Sequence, residues 1–136
     1  MSEENVEIVR KLMALGERVR EGGELPDTGL LAPDFEIDMS RRVFNPAVYH
    51  GIDGLRRLNE EIRDVWKEFR VVPEQFIDAG DRVVVLETIH ARGRGSGVEL
   101  DTRTTATIWT LRNGQATRVQ IGFDPQEALK AVGLEG

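Results

Sequence analysis

The hydrophobic positions along this chain change their period about halfway. Val6, Val9, Leu12, Met13 and Val19 recur at helical spacing, which predicts a first amphipathic helix. Ser2 or Asn5 can cap its start, Gly22-Gly23 end it, and Gly16 weakens it locally. Leu55, Leu58, Ile62, Val65, Trp66 and Phe69 repeat the i, i+3, i+4, i+7 stripe over about four turns, predicting a long central helix packed on a sheet. Between the two, Asp27-Thr28 precede Leu30-Leu31-Ala32, a predicted single helical turn that Pro33 stops. Phe35-Glu36-Ile37-Asp38-Met39 then alternates as a strand with Asp38 near its end. Arg41–His50, with Asn45-Pro46, has no regular period and reads as a loop long enough to form a lid.

The second half alternates with period two or runs continuously apolar. Val71–Ala79 predicts a strand whose Pro73 places it at an edge or a bulge. Gly80-Asp81 turns into Arg82–His90, and the unbroken Val83-Val84-Val85-Leu86 predicts cover on both faces, from a second layer or a partner copy. Val98–Leu111 is longer than an average strand, which favours a bend by bulge or twist. Asn113-Gly114 predicts a type I′ hairpin into Gln115–Phe123, and Asp124-Pro125 caps and opens a short helix ending at Gly133. Helices followed by a meander predict one α+β domain over residues 1–136. A curved, mostly antiparallel sheet would wrap around the first and central helices, with a short C-terminal helix, and enclose a pocket.

Composition removes several function classes. With 40% hydrophobic and 31% charged positions, 136 residues can bury one core without disulfides or a structural metal. A net charge of -6 opposes a phosphate backbone, which argues against nucleic acid as a partner. The lack of cysteine removes thiolate nucleophiles and fits a reducing interior. The acidic start Met1-Ser2-Glu3-Glu4-Asn5 is unlike a signal peptide, and no apolar run approaches the roughly 18 residues of a membrane span, so a cytoplasmic location is expected.

The element order, together with several local phrases, resembles the nuclear transport factor 2-like superfamily and its SnoaL-like branch. The phrases are Tyr49-His50-Gly51-Ile52-Asp53-Gly54-Leu55 before the long helix, Phe76-Ile77-Asp78-Ala79-Gly80-Asp81-Arg82-Val83-Val84-Val85-Leu86 at the central hairpin, and Ile108-Trp109-Thr110-Leu111-Arg112-Asn113-Gly114 followed by Asp124-Pro125-Gln126-Glu127-Ala128-Leu129. The resemblance implies a conical cavity between sheet and helices and a homodimer through the sheet's outer face. It also implies chemistry that ranges from isomerases, polyketide cyclases, epoxide hydrolases and dehydratases to members without catalysis. Asp38 falls where isomerase-type members carry a general base, and Asp124 near the acid/base aspartate of cyclase-type members. Leu12 and Met13 replace the oxyanion-hole tyrosine of the isomerases, and no carboxylic acid stands at Ile108-Trp109.

Read as chemistry, Asp38 is either a base facing an apolar cavity or a strand-end cap paired with Arg41 or Arg42. Asp124 is an N-cap first and an acid second. His50 and His90 lack the spacing of a metal site, so no metal is expected, and His90 is a proton-transfer candidate or a rim residue. Arg103 shares strand parity with Thr105, Thr107 and Trp109, which together would line a pocket; alternatively, Arg103 pairs with Glu87 or Glu99 on an outer face. Trp66 is core or cavity wall, and Tyr49 and Trp109 would shape the cavity. The expectation is acid/base chemistry without a cofactor on a small hydrophobic or oxygenated molecule. Asp38 would be the base, and Arg103 or His90 would orient a carbonyl. The rival is a non-catalytic binding or dimerisation module.

Overall fold

The computed structural model describes residues 2–24, 28–42, 46–95 and 97–134. Asp27, Asn45 and the side chain of Ser2, each given a role above, lie outside the described residues. Helix α1 (Ser2–Arg20) follows the first apolar stripe and stops at Gly22, whose φ of 101° suits only glycine comfortably. Gly22 N–H donates to Val19 O and Gly23 N–H to Arg18 O, satisfying two carbonyls of the last turn. Asn5 is inside the helix, and its carboxamide donates to Gly80 O in a distant turn instead of capping.

The helical turn expected at Leu30–Ala32 does not form. Strand β1 (Leu31–Asp38) already starts there and runs through Pro33, which falls where pairing with the last strand is interrupted between Leu31 and Glu36. A residue without an N–H costs nothing at that break. The expected lid loop likewise closes early, because Val48–His50 forms a short strand, β2, antiparallel to β1.

Helix α2 (Gly51–Val65) keeps the stripe of Leu55, Leu58 and Ile62 but ends a turn sooner than the spacing predicts. Trp66 and Phe69 open strand β3 (Trp66–Ala79), so Trp66 is not a helical core residue. The stop comes from outside the helix. Arg94 donates its backbone N–H to Val65 O (3.1 Å) and its Nε to Arg63 O (2.8 Å), taking up carbonyls that continued helix would have used.

The sheet order is β2-β1-β7-β6-β4-β3, with β5 paired to β4 off this path. Its further strands are β4 (Arg82–Gly93), β5 (Glu99–Asp101), β6 (Thr105–Arg112) and β7 (Gln115–Phe123). Every pairing is antiparallel except that of β1 with β7. Pro73 sits at the bulge of edge strand β3, as expected. The long strand expected over Val98–Leu111 is broken rather than bent: residues 102–104 lie opposite the two residues 88 and 89. Thr102 bridges the gap, donating its N–H to Ile89 O and accepting from Ile89 N–H through Oγ1. Asn113 (φ 53°) and Gly114 (φ 77°) form the predicted hairpin turn.

Val83, Val84 and Val85 of β4 are completely buried. Val83 and Val85 pack with Val9 of α1, whereas Val84 faces Ala128 and Val132 of the region of helix α3 (Pro125–Ala131). Two-sided cover thus comes from a second layer within one chain. A bulge makes it possible: Ala106 pairs with Phe123 but Thr107 with Ile121, so Gly122 (φ 104°) is the extra residue. It turns Phe123 away from the side of Ile121 and onto the α3 face. Asp124 then caps α3 in a reciprocal box with Glu127. No described helix is long and apolar enough to cross a membrane.

Replacing Arg94 by Ala should cost about 0.5–1.5 kcal/mol in urea unfolding, because Arg63 O at the end of α2 loses its side-chain donor while the backbone N–H to Val65 O remains. An unchanged midpoint would show that the Nε bond contributes nothing to the end of α2.

Candidate functional site

Between the concave side of the sheet and helices α1 and α2 lies a cavity of about 190 Å³. Strand period two builds its walls. Phe35 and Ile37 reach it from β1 and Met39 from just past its end, Phe69 and Val71 from β3, and Val119 and Ile121 from β7. Leu12, Gly16 and Arg20 line it from α1 at i, i+4, i+8 spacing, so Gly16 leaves room there as well as weakening the helix.

The polar groups in this lining are Arg20, Asn59, Glu87 and Thr107, together with the indole N–H of Trp109. Glu87 continues the face of Val83 and Val85 at the point where α1 reaches its end, and only 4% of it is exposed. Its carboxylate accepts from Thr107 Oγ1 at 3.3 Å. Burial pushes the Glu87 carboxyl up to about 7, against the opposing pull of the Thr107 hydroxyl and the positive charge of Arg20. Burial also lowers the Arg20 guanidinium, despite Glu17, Glu87 and Glu21 around it. Arg20 pairs loosely with Glu17 at 3.9 Å and stands 5.9 Å from the centre of the Phe69 ring.

Of the residues singled out in the sequence, Trp109 lines this cavity, with Thr107 beside it on the same parity. Ala106 and Ile108 face α3 instead. Arg103 falls in the break between β5 and β6, where parity is lost, and is exposed away from the cavity. Trp66 is half-buried and outside the lining. Tyr49 is buried behind the wall, packed with Phe35 and Ile37, with its hydroxyl donating to Glu61 (2.6 Å) and accepting from Arg42 (3.0 Å).

The carboxylates expected to be catalytic are elsewhere. Phe35 and Ile37 take the cavity side of β1, so Asp38 points to the other face. There it accepts from Ser40 N–H (2.9 Å), Ser40 Oγ (2.6 Å) and Arg118 Nη2 (2.7 Å). The Ser40 hydroxyl, then its N–H and Arg118, hold its carboxyl below the usual range against the effect of burial. The turn-capping alternative is therefore the observed arrangement, with Arg118 in place of Arg41 or Arg42. Asp124 is the exposed cap of α3, and its carboxyl is lowered chiefly by the Glu127 N–H. His90 lies outside the cavity lining, on the opposite strand parity from Glu87 and Ile89, with its Nδ1 against Asp101 and its Nε2 3.2 Å from Thr88 Oγ1. Glu87 and Arg20 were not singled out as site residues. Their signals were an acid closing an apolar strand run, and a basic residue continuing an apolar helical stripe. Among the described residues, no group of three or more His, Asp or Glu could hold a metal.

A curved, unclosed mixed sheet folded over two helices, with a third helix behind it, defines a nuclear transport factor 2-like protein. The chain belongs to the SnoaL-like domain family, whose model matches residues 28–119. No curated protein matches it in sequence. Among solved structures it is similar to an NTF2-like protein of unknown function from Burkholderia pseudomallei, with 25% identity, TM-score 0.71, and coverage of 98% of this chain and 99% of that one. A protein from Jannaschia sp. CCS1, named for its likeness to SnoaL-like polyketide cyclases, shares 21% identity at TM-score 0.70, covering 100% and 96%. TerC, co-crystallised with polyporic acid, shares 23% identity at TM-score 0.68, covering 92% and 97%.

The two buried carboxyls should titrate stability in opposite directions. Asp38, lowered on folding, contributes stability that is present above its unfolded value near 3.9 and is lost as pH falls through its folded value. Glu87, raised on folding, contributes stability that is present below 4.5 and is lost as pH rises through about 7. Urea unfolding from pH 3 to 9 should thus show Glu87→Gln gaining on wild type by something on the order of 3 kcal/mol between pH 4.5 and 8. Asp38→Asn should lose most above pH 5. Parallel curves for all three proteins would refute both assignments.

Proposed function

We propose that this protein binds a small, largely apolar, oxygen-bearing molecule in the cavity and transfers a proton to it without a cofactor. The observation that carries this reading is the enclosure of one carboxyl, Glu87, among apolar side chains beside a single guanidinium. A carboxylic acid kept protonated close to neutral pH can donate to an oxygen that develops negative charge, and Glu87 meets that requirement through its burial. Asp38 cannot do so from the opposite face, where its partners stabilise the ionised form. Glu87 therefore takes the proton-transfer role, and Trp109 shapes the cavity.

Size narrows the substrate. A cavity of roughly 150 Å³ accepts a benzene-sized molecule, so about 190 Å³ suits a one-ring epoxide, lactone or enone and is too small for a steroid. Ring opening or hydration of such a compound needs a general acid at the departing or carbonyl oxygen, with water as the other reactant. The presence of polyporic acid with TerC, a protein of the same fold, supports small-molecule occupancy here as well.

The test is a thermal-shift panel of one-ring epoxides, lactones and enones, followed by proton NMR of any compound that raises the melting temperature. Turnover should be constant below pH 7 and fall above it, and Glu87→Gln should reduce it about 100-fold or more. Undiminished turnover in that variant would remove Glu87 from the mechanism. A thermal shift without turnover would leave a non-catalytic binding module.

A further inference from the structure

Two residues that line the cavity carry buried hydrogen-bond donors without protein acceptors. The indole Nε1 of Trp109 and the Nε of Arg20 are buried, and neither has a hydrogen-bond partner among the described residues. Asn59 of α2 is 4% exposed and adds a neutral carboxamide to the lining. A buried N–H left without an acceptor is costly, so the ligand that fits must bring acceptor atoms. These three groups come from α1, α2 and β6 and all line the one cavity.

Charge points the same way. Arg20 is the only cation among the cavity-lining residues, and Glu87 is the only other titratable group there. Strands β1, β3 and β7 bring apolar side chains to the lining, while α2 adds only the neutral Asn59 to its apolar stripe. Beyond the lining, Glu17 and Glu21 act on Arg20 from α1. With Glu87 protonated, the lining carries one net positive charge and a set of donors.

We infer that the preferred ligand is a one-ring organic acid, bound as its carboxylate against the Arg20 guanidinium with Trp109 and Asn59 as further donors. This rests on the cavity reading above and narrows its substrate class. The anion and an ionised Glu87 would share one small space of low polarity, so each disfavours the other. Binding therefore keeps Glu87 protonated and takes up a proton wherever Glu87 was ionised. Affinity is then flat at acidic pH and declines by about tenfold per pH unit once Glu87 ionises in the free protein. The protonated Glu87 remains available as the acid that the proposed chemistry needs.

Isothermal titration with benzoate and cyclohexanecarboxylate, each compared with its amide, tests this at pH 6 and pH 8.5. Wild type should bind the carboxylates more tightly than the amides at pH 6 and lose more than about tenfold for the carboxylates by pH 8.5. Glu87→Gln should bind them equally at both pH values. Arg20→Gln should weaken carboxylates by about ten- to a hundredfold and the amides by much less, since only the carboxylate makes a charge-assisted bond. Amides that bind where carboxylates do not would overturn the inference while the cavity reading stands, as would carboxylate binding indifferent to Arg20→Gln. Failure of all four compounds to bind would bring down both.

Discussion

The structure depends on keeping water from both faces of β4. Three consecutive valines there have no exposure at all, and at roughly 25 cal/mol per Å² of buried apolar surface such a strand is stable only when covered twice. Helix α1 covers one side and α3 the other, and the sheet order places β4 between β6 and β3 so that its backbone groups are paired as well. The rest of the chain supplies those covers at the right positions.

The cavity exists because that cover is incomplete. Helix α1 seals Val83 and Val85, then ends near the level of Glu87, and α2 does not pack tightly enough to fill the remainder. The space is too narrow to leave a carboxylate well hydrated and too open to exclude polar groups altogether. Glu87 resolves this by staying protonated over much of the pH range, with Thr107 and Arg20 partly offsetting the cost of its burial. The outward-facing cluster of Asp38, Ser40 and Arg118 is the converse: there the charge is stabilised and serves to hold the junction of β1 and β7.

Elements with a strong local period were legible in the sequence. The α1 stripe, the Asn113-Gly114 hairpin and the Asp124-Pro125 cap depend on neighbours within a few residues, and each is present as expected. The misread boundaries were set by distant parts of the chain. Arg94 ends α2 from about thirty residues away in sequence, and β7 draws Leu31 and Ala32 into a strand that local spacing would have left helical. The site was harder to read for the same reason. Parity along a strand was countable for Thr107 and Trp109 but failed for Arg103, because the break at residues 102–104 could not be seen without β4 as a ruler. Which side of β1 faced the helices was likewise undetermined until both neighbours were in place, so Asp38 could be imagined on either face.

The single extra residue at Gly122 separates two tasks that β7 would otherwise have to share. Before it, Val119 and Ile121 belong to the cavity; after it, Phe123 belongs to the α3 layer. Each side can therefore accept substitutions without disturbing the other, and relatives can vary the lining while leaving the back layer alone. Changes in chain length do not have that freedom. Losing one residue at this point would exchange the two faces for everything that follows, so the family's diversity in this region should lie in residue identity, with spacing held constant.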